Sequence, residues 1–344
     1  MKYRDNSKLH NKPDILFLLY LIPIPVFLVV LCIGAYKLSI PEVIDIIAYK
    51  ISGYTFFGSK LEASAIKALI DVRLPRVILS MLVGAALSVS GASFQSIMKN
   101  PLVEPYTLGV SSGAAFGAAL SMAFSFLSVQ VSAFLFAMLS ILISYSIAQQ
   151  KGEAPVISLI LAGIIISSIF TAALTAIQLF VDPLKLQGLV FWTMGAFYTT
   201  TWNKVLASVG FMAIGFTLIF IFRWKLNILS LGDQEAKTLG VNPAIYKGII
   251  MFAATLLASS SVAVSGIISL VGLMIPHICR MLFGADNKKL IPLSMTLGAS
   301  YLAIVDTFAR NLFTFEVPVG IFTTFLGAPF FIILLRKVRN TGWN

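Results

Sequence analysis

Between Pro105 and Gln150 the chain carries no charged side chain for 46 consecutive residues. About 20 apolar residues in a helix cross a bilayer core, so this one stretch is long enough for two crossings. No core of a globular domain requires such a run. Composition agrees: of 344 residues 58% are hydrophobic and 11% charged, where a soluble domain carries about 25% charged residues. The expectation is an all-α polytopic membrane protein forming a single transmembrane domain over residues 1–344.

Uncharged length places about ten spans. They cover 15–36, 74–98, two within 105–150 separated near 127–130, 155–181, 205–222, 248–264, a short one ending near 283 after an irregular 265–272 segment, 290–308 and 317–335. Pro23 and Pro25 interrupt the first, which membrane helices tolerate. Residues 37–71 read as a polar segment, 182–203 as mixed, with Trp192 and Trp202 suited to an interface. Lys2, Arg4, Lys8 and Lys12 precede the first span without a small-residue cleavage site, so a retained helix is expected behind a cytoplasmic tail, 1–14.

The net charge of +11 does not point to nucleic acid, because the basic residues lie between apolar runs and form no contiguous face. With both termini in the cytoplasm, 16 of the 25 Lys and Arg fall on the cytoplasmic side. This bias is the one expected of a multi-pass protein of the cytoplasmic membrane. Among the exceptions are Arg73, Arg76 and Arg310 on the outer side. Snorkelling explains Arg73 and Arg76 blandly, and an ion pair with Asp306 four residues earlier does the same for Arg310. The functional alternative is that the three guanidiniums pair with carboxylates of an extracytoplasmic partner. Cys32 and Cys279 both lie in apolar runs and read as small buried hydrophobes.

No Gly-x-x-x-x-Gly-Lys-[Ser/Thr] loop occurs, so any phosphate-cradling site of that kind belongs to another chain. His277 stands alone at the end of an apolar run and reads as a packed residue. Small residues such as Gly84, Ser88, Gly91, Gly113 and Gly117 suit close helix approach. The charged stretch 223–247 holds Leu231 to Val241, a short amphipathic helix between glycines. At this length it fits a docking helix for a soluble partner better than a plain connector. A weak repeat relates Val89-Ser90-Gly91, with Pro101 ten residues on, to Val264-Ser265-Gly266, with Pro276 ten on. In a ten-span arrangement the two copies run in opposite directions, as in many transporters.

In order and spacing, RLPR at 73–76, VGAALSVSG at 83–91, NPLVEP at 100–105, LGVSSG at 108–113, GDQEAKTLG at 232–240, SGIISLVGLMIPH at 265–277, PVGI at 318–321 and LGAP at 326–329 resemble the permease family of iron-siderophore, haem and cobalamin ABC importers. That resemblance implies a homodimer with its pore at the interface, two ATPase subunits inside and a substrate-binding protein outside. ATP and Mg would sit on the ATPase, and the permease would hold no cofactor or metal and catalyse nothing itself. It makes Arg73, Arg76 and Arg310 the binding-protein contacts and places Asn100, Pro101 and Leu102 at the cytoplasmic gate. Gly232, Asp233, Glu235, Ala236, Leu239 and Gly240 would enter the ATPase groove. Val156 and Ile157 depart from the small polar pair that relatives can carry at the inner gate. The expected cargo is an iron(III) chelate of siderophore type, with cobalamin, haem or molybdate as alternatives. An ion-coupled secondary carrier is the rival of another class, disfavoured by the scarcity of ionisable residues within spans. An intramembrane enzyme lacks a paired nucleophile and base.

Overall fold

The computed structural model describes residues 13–59, 61–149 and 155–339; most of the expected tail, 1–14, and Lys151-Gly152-Glu153 fall outside them. The first span is two helices, α1 (Pro13–Leu21) and α2 (Pro23–Cys32), separated at Ile22 because Pro23 and Pro25 cannot donate to the preceding turn. The polar segment 37–71 contains a helix, α3 (Ile40–Ser52), that its polar composition does not announce. Its start is a reciprocal cap: Glu42 N–H donates to Ser39 Oγ, and Ser39 N–H donates to Glu42 Oε2 at 2.7 Å.

Helix α4 (Ala63–Lys67) runs through a π-helical turn (Ala68–Arg73) into α5 (Leu74–Ile97). Then come α6 (Val110–Phe124), α7 (Val129–Ala148), α8 (Val156–Phe180), α9 (Pro183–Thr193) and α10 (Trp202–Leu229). The chain ends with α11 (Asp233–Thr238), α12 (Pro243–Ser265), α13 (Val271–Phe283), α14 (Asn287–Asn311) and α15 (Val319–Arg339). Among the described residues, seven helical segments are long and apolar enough to cross a membrane, and three shorter apolar helices accompany them. The span expected to stop at Phe222 continues to Leu229. Its charged end stays helical because Arg223 covers the Phe220 ring at 5.1 Å and Lys225 the Tyr246 ring at 3.7 Å.

The bundle is organised around α5 and α12: 83% of the residues in the most apolar stretch of each of these spans are buried, against 11% in the first span. Helix α14 lies antiparallel to α5, since Arg76 meets Asp306 at one end and Ser96 meets Asn287 at the other. Glycine makes this contact possible. A Cβ on Gly84 would lie 2.2 Å from Gly298 O of α14, so only bare backbone fits; Gly91 does the same against α13, where a Cβ would lie 1.7 Å from Gly272 O.

The two halves repeat one plan. Each has a long first span, a short helix (α3 or α11), a buried span (α5 or α12), an unwound segment, a short helix (α6 or α13) and two further spans. Helices α5 and α12 run in opposite directions, so α3 caps the end of the bundle that holds the three arginines, and α11 the other. These are called the arginine end and the loop end below.

Candidate functional site

At the arginine end all three guanidiniums are engaged within the chain. Helix α2 ends at Cys32 with its last carbonyls unsatisfied, and a cation there is favoured. Arg73 donates to Leu31 O at 3.0 Å and also to Tyr36 O. Arg310 donates to Val30 O and Ile33 O at 3.1 and 2.9 Å. Gly34 leaves the room, because a Cβ there would lie 2.5 Å from Arg73 Nη2. Arg76 donates from Nε and Nη2 to Asp306 (both contacts 2.9 Å) and from Nη1 to Glu316 at 2.9 Å. Asp306 is thus the counter-ion of Arg76, 230 residues away in another helix, and the local Asp306–Arg310 pair expected from four-residue spacing is not what forms. Nor do Arg73 and Arg76 snorkel, being 5% and 7% exposed. Glu316 is the open member of the cluster, its side chain 47% exposed. Arg76 and Glu316 line a crevice of about 420 Å³ with Phe191, Tyr198 and Pro318.

Asp45, on α3, fixes the loop beside this end. Its carboxylate accepts N–H donors from Phe56, Phe57 and Ser59 at 2.7, 2.9 and 2.8 Å. Burial pushes the carboxyl up, but the donors outweigh it and hold the pKa at about 2, below its ordinary 3.8. A lowered carboxyl pKa adds stability that is complete above about pH 4 and is lost as pH falls toward 2. Hydrogen exchange at the Phe56, Phe57 and Ser59 amides, corrected for intrinsic rates, should therefore keep its protection from neutral pH down to about 4 and lose it below. Asp45→Ala should remove that protection at every pH.

Midway along the bundle, two unwound segments meet. Residues 266–270 connect α12 to α13 with Leu270 in the left-handed region, φ 68°, a conformation that a branched apolar residue holds only when its surroundings impose it. Tyr106 Oη donates to Ile268 O at 3.0 Å. Gln95 Nε2 reaches Gly272 O at 3.3 Å and Arg280 Nη1 donates to Gln95 Oε1 at 3.0 Å. The stretch after Asn100 therefore turns back into the bundle, and no local sequence signal pairs Tyr106 with Ile268. His277 packs between Phe330 and Phe331, ring centroids 6.2 and 6.3 Å away.

Asn100 and Leu102 stand at the loop end, where Asn100 Oδ1 accepts the Leu102 N–H at 3.0 Å and Leu102 is 51% exposed. Pro101 lies between them, half-buried. At the start of α8, Val156 is half-buried and Ile157 exposed. Helix α11 begins at Gly232 and is followed by Gly240 at φ 74°. Ala236 is fully buried beneath it, and Asp233 bonds Lys247 of α12 at 2.6 Å. A chain of hydrogen bonds, with Asn287 Nδ2 donating to Asn227 Oδ1 at 2.9 Å and Ser96 Oγ donating to Asn287 Oδ1 at 2.7 Å, ties α10, α14 and α5 together behind it. Asp286 belongs to this network: burial raises its carboxyl, while Asn227 and the Lys288 N–H outweigh that and leave it below its ordinary value. Glu235 and Leu239 face outward, with Leu239, Leu231 and Ile245 all more than half exposed. The helix is thus fixed to the spans along one face and bare along the other.

The profile of the FecCD transport family matches residues 19–337. The chain belongs to the FecCD transport family. Among FecCD relatives, the "Probable iron chelatin transport system permease protein" of Helicobacter pylori is 36% identical, covering 91% of this chain and 95% of its own length. The molybdate import system permease protein MolB of Haemophilus influenzae is also 36% identical, over 96% of this chain and 98% of its own. A solved structure described as an inward-facing metal-chelate type ABC transporter superposes with a TM-score of 0.83 at 35% identity, covering 95% of this chain and all of its own. In this FecCD chain the residues singled out from sequence divide by place. Arg73, Arg76 and Arg310 cluster at the arginine end; Asn100, Leu102, Asp233, Glu235 and Leu239 gather at the loop end. The segment 265–277 runs between the two.

Proposed function

We propose that this FecCD protein is the permease subunit of an ATP-driven importer in the cytoplasmic membrane, with both termini and the loop end in the cytoplasm. The observation that carries this reading is α11: a short helix anchored by Ala236 and the Asp233–Lys247 pair, yet exposing Glu235 and Leu239. Such a helix transmits a push on its bare face to α10 and α12 without bending. A separate ATPase, holding ATP and Mg, would receive it in a groove. Two packings of the spans then differ in their contacts with nucleotide-bound ATPase and with loaded binding protein, and each ligand shifts the population toward the packing it prefers.

A second copy of this chain completes the pore. Helix α15 leaves Phe325 75% exposed beside a groove of about 530 Å³ that includes Ile267, Ser269, Ile321 and Thr324, and a facing α15 would close it. Asn100, Pro101 and Leu102 form the cytoplasmic gate beneath. The binding protein lands on the arginine end, where Arg73, Arg76 and Arg310 lie and where an acidic partner group would exchange with Glu316 on Arg76. Cargo choice rests with that binding protein. An iron(III) chelate is the reading supported by the iron chelatin relative and the metal-chelate structure; molybdate is the second, on the Haemophilus relative of equal identity.

Replacing Glu235 with Lys and Leu239 with Asp should weaken ATPase association by about tenfold or more, about 1.4 kcal/mol, while the permease stays monodisperse. Co-elution at wild-type stoichiometry would remove the coupling assignment. To identify the cargo, the cognate binding protein is titrated with ferric chelates, molybdate, cobalamin and haem. Tight binding of a ferric chelate supports the iron reading, and tight binding of molybdate replaces it.

A further inference from the structure

We propose that residues 36–59 form an interfacial anchor, a module that inserts Ile51, Tyr54, Phe56 and Phe57 into the headgroup zone of the bilayer leaflet at the arginine end. The module has its own small core: Val43 and Ile46 of α3 pack with Val30, Leu31, Leu38 and Leu69, separate from the main core of the bundle. That core hangs on α2, part of the least buried span, whose Ile24 and Val29 face outward. The module therefore continues a lipid-facing surface at the side of the bundle.

Its tip is apolar by construction. Ile51, Tyr54, Phe56 and Phe57 are 82, 77, 76 and 62% exposed. A flexible loop could fold such side chains away, but here Gly53 turns the chain at φ 78° and the Asp45 carboxylate holds the backbone donors of Phe56, Phe57 and Ser59. The aromatic rings are thus pointed outward by a rigid turn, which in water is unfavourable and is expected where a surface covers them. Lys37 and Lys50 flank them, exposed, while the nearby carboxylates are occupied: Glu42 by Ser39 and Glu62 by the Tyr36 hydroxyl at 2.8 Å. Aromatic and aliphatic side chains beside free lysines suit the phosphate-rich boundary of a bilayer. Through Arg73 and Arg310, which grip the end of α2, the anchor would set the depth of α5 and α14 in the membrane.

The test places a nitroxide on Phe57→Cys in full-length chain carrying Cys32→Ala and Cys279→Ala, in nanodiscs of phosphatidylcholine and phosphatidylglycerol, with no binding protein present. A label on Gln234→Cys, exposed on α11, serves as the aqueous control. The expected result is an accessibility to oxygen relative to a water-soluble nickel chelate severalfold higher at 57 than at 234. Equal ratios would place the tip in water and overturn the proposal. Low accessibility to both reagents would place it against protein, a second copy or another part of the chain, and overturn it equally. If the Phe57 variant does not fold, the same comparison at Tyr54→Cys decides.

Discussion

Alanine at Gly91 is expected to cost at least ~3 kcal/mol of stability, the upper range for overpacking, and to lower the thermal midpoint of the detergent-purified chain sharply. The added Cβ would sit 1.7 Å from Gly272 O. The obstacle is backbone at the junction of the unwound segment and α13, so no side chain can rotate out of the way. Either α5 separates from α13, or the 266–270 segment shifts and loses the hydrogen bond that Tyr106 makes with Ile268. Gly248→Ala on α12 is the control: nothing lies within 4 Å of that position, and a helix gains up to about 1 kcal/mol when Ala replaces an exposed interior Gly. Comparing midpoints of the two variants separates close packing from any general effect of glycine replacement. Equal midpoints would mean that the α5–α13 contact is not as tight as described.

Removing Arg76 should be the second severe change. Asp306 is 1% exposed and takes three of the guanidinium's contacts, so Arg76→Ala leaves a buried carboxylate without its partner, a loss of roughly 3–5 kcal/mol. Neutralising the carboxylate as well, in Arg76→Ala with Asp306→Asn, should recover much of that loss, because the penalty comes from the stranded charge. Glu316→Gln, by contrast, should change stability by about 0–1 kcal/mol, since that side chain is half exposed and its pair is solvent-screened. Thermal midpoints of the four proteins check the ordering. If Arg76→Ala were as mild as Glu316→Gln, the cluster would not be a buried ion pair.

The features legible in the sequence are those set locally. Uncharged length located the spans because lipid forbids unpaired charge, and the irregular segment expected at 265–272 is a break before a short helix, although Pro276 lies within that helix. The amphipathic stretch at 231–241 is likewise helix α11 between glycines. The misses are long-range or chemically conditional. Nothing near Arg76 in the chain announces Asp306, 230 residues away, and the four-residue spacing of Asp306 and Arg310 suggested a local pair that the bundle does not use. Arg223 and Lys225 looked like the end of a span, yet aromatic rings at Phe220 and Tyr246 let the helix carry them. Helix α3 was the recoverable miss, since Ser39-Ile40-Pro41-Glu42 is a capping-box pattern with proline at an early helical position. The return of 100–109 into the bundle was not recoverable, because it depends on Tyr106 reaching Ile268 O, 162 residues away.

The opposed directions of α5 and α12, with α3 and α11 at opposite ends, give the chain two similar halves facing opposite sides of the membrane. That arrangement lets one bundle hold two packings of comparable energy, but it supplies no energy of its own. Reconstituting the chain in liposomes, alone and together with its ATPase and loaded binding protein, tests this most directly by following labelled cargo against its gradient. Accumulation only when both partners and ATP are present is the predicted result; uphill transport by the chain alone, driven by an ion gradient, would contradict it.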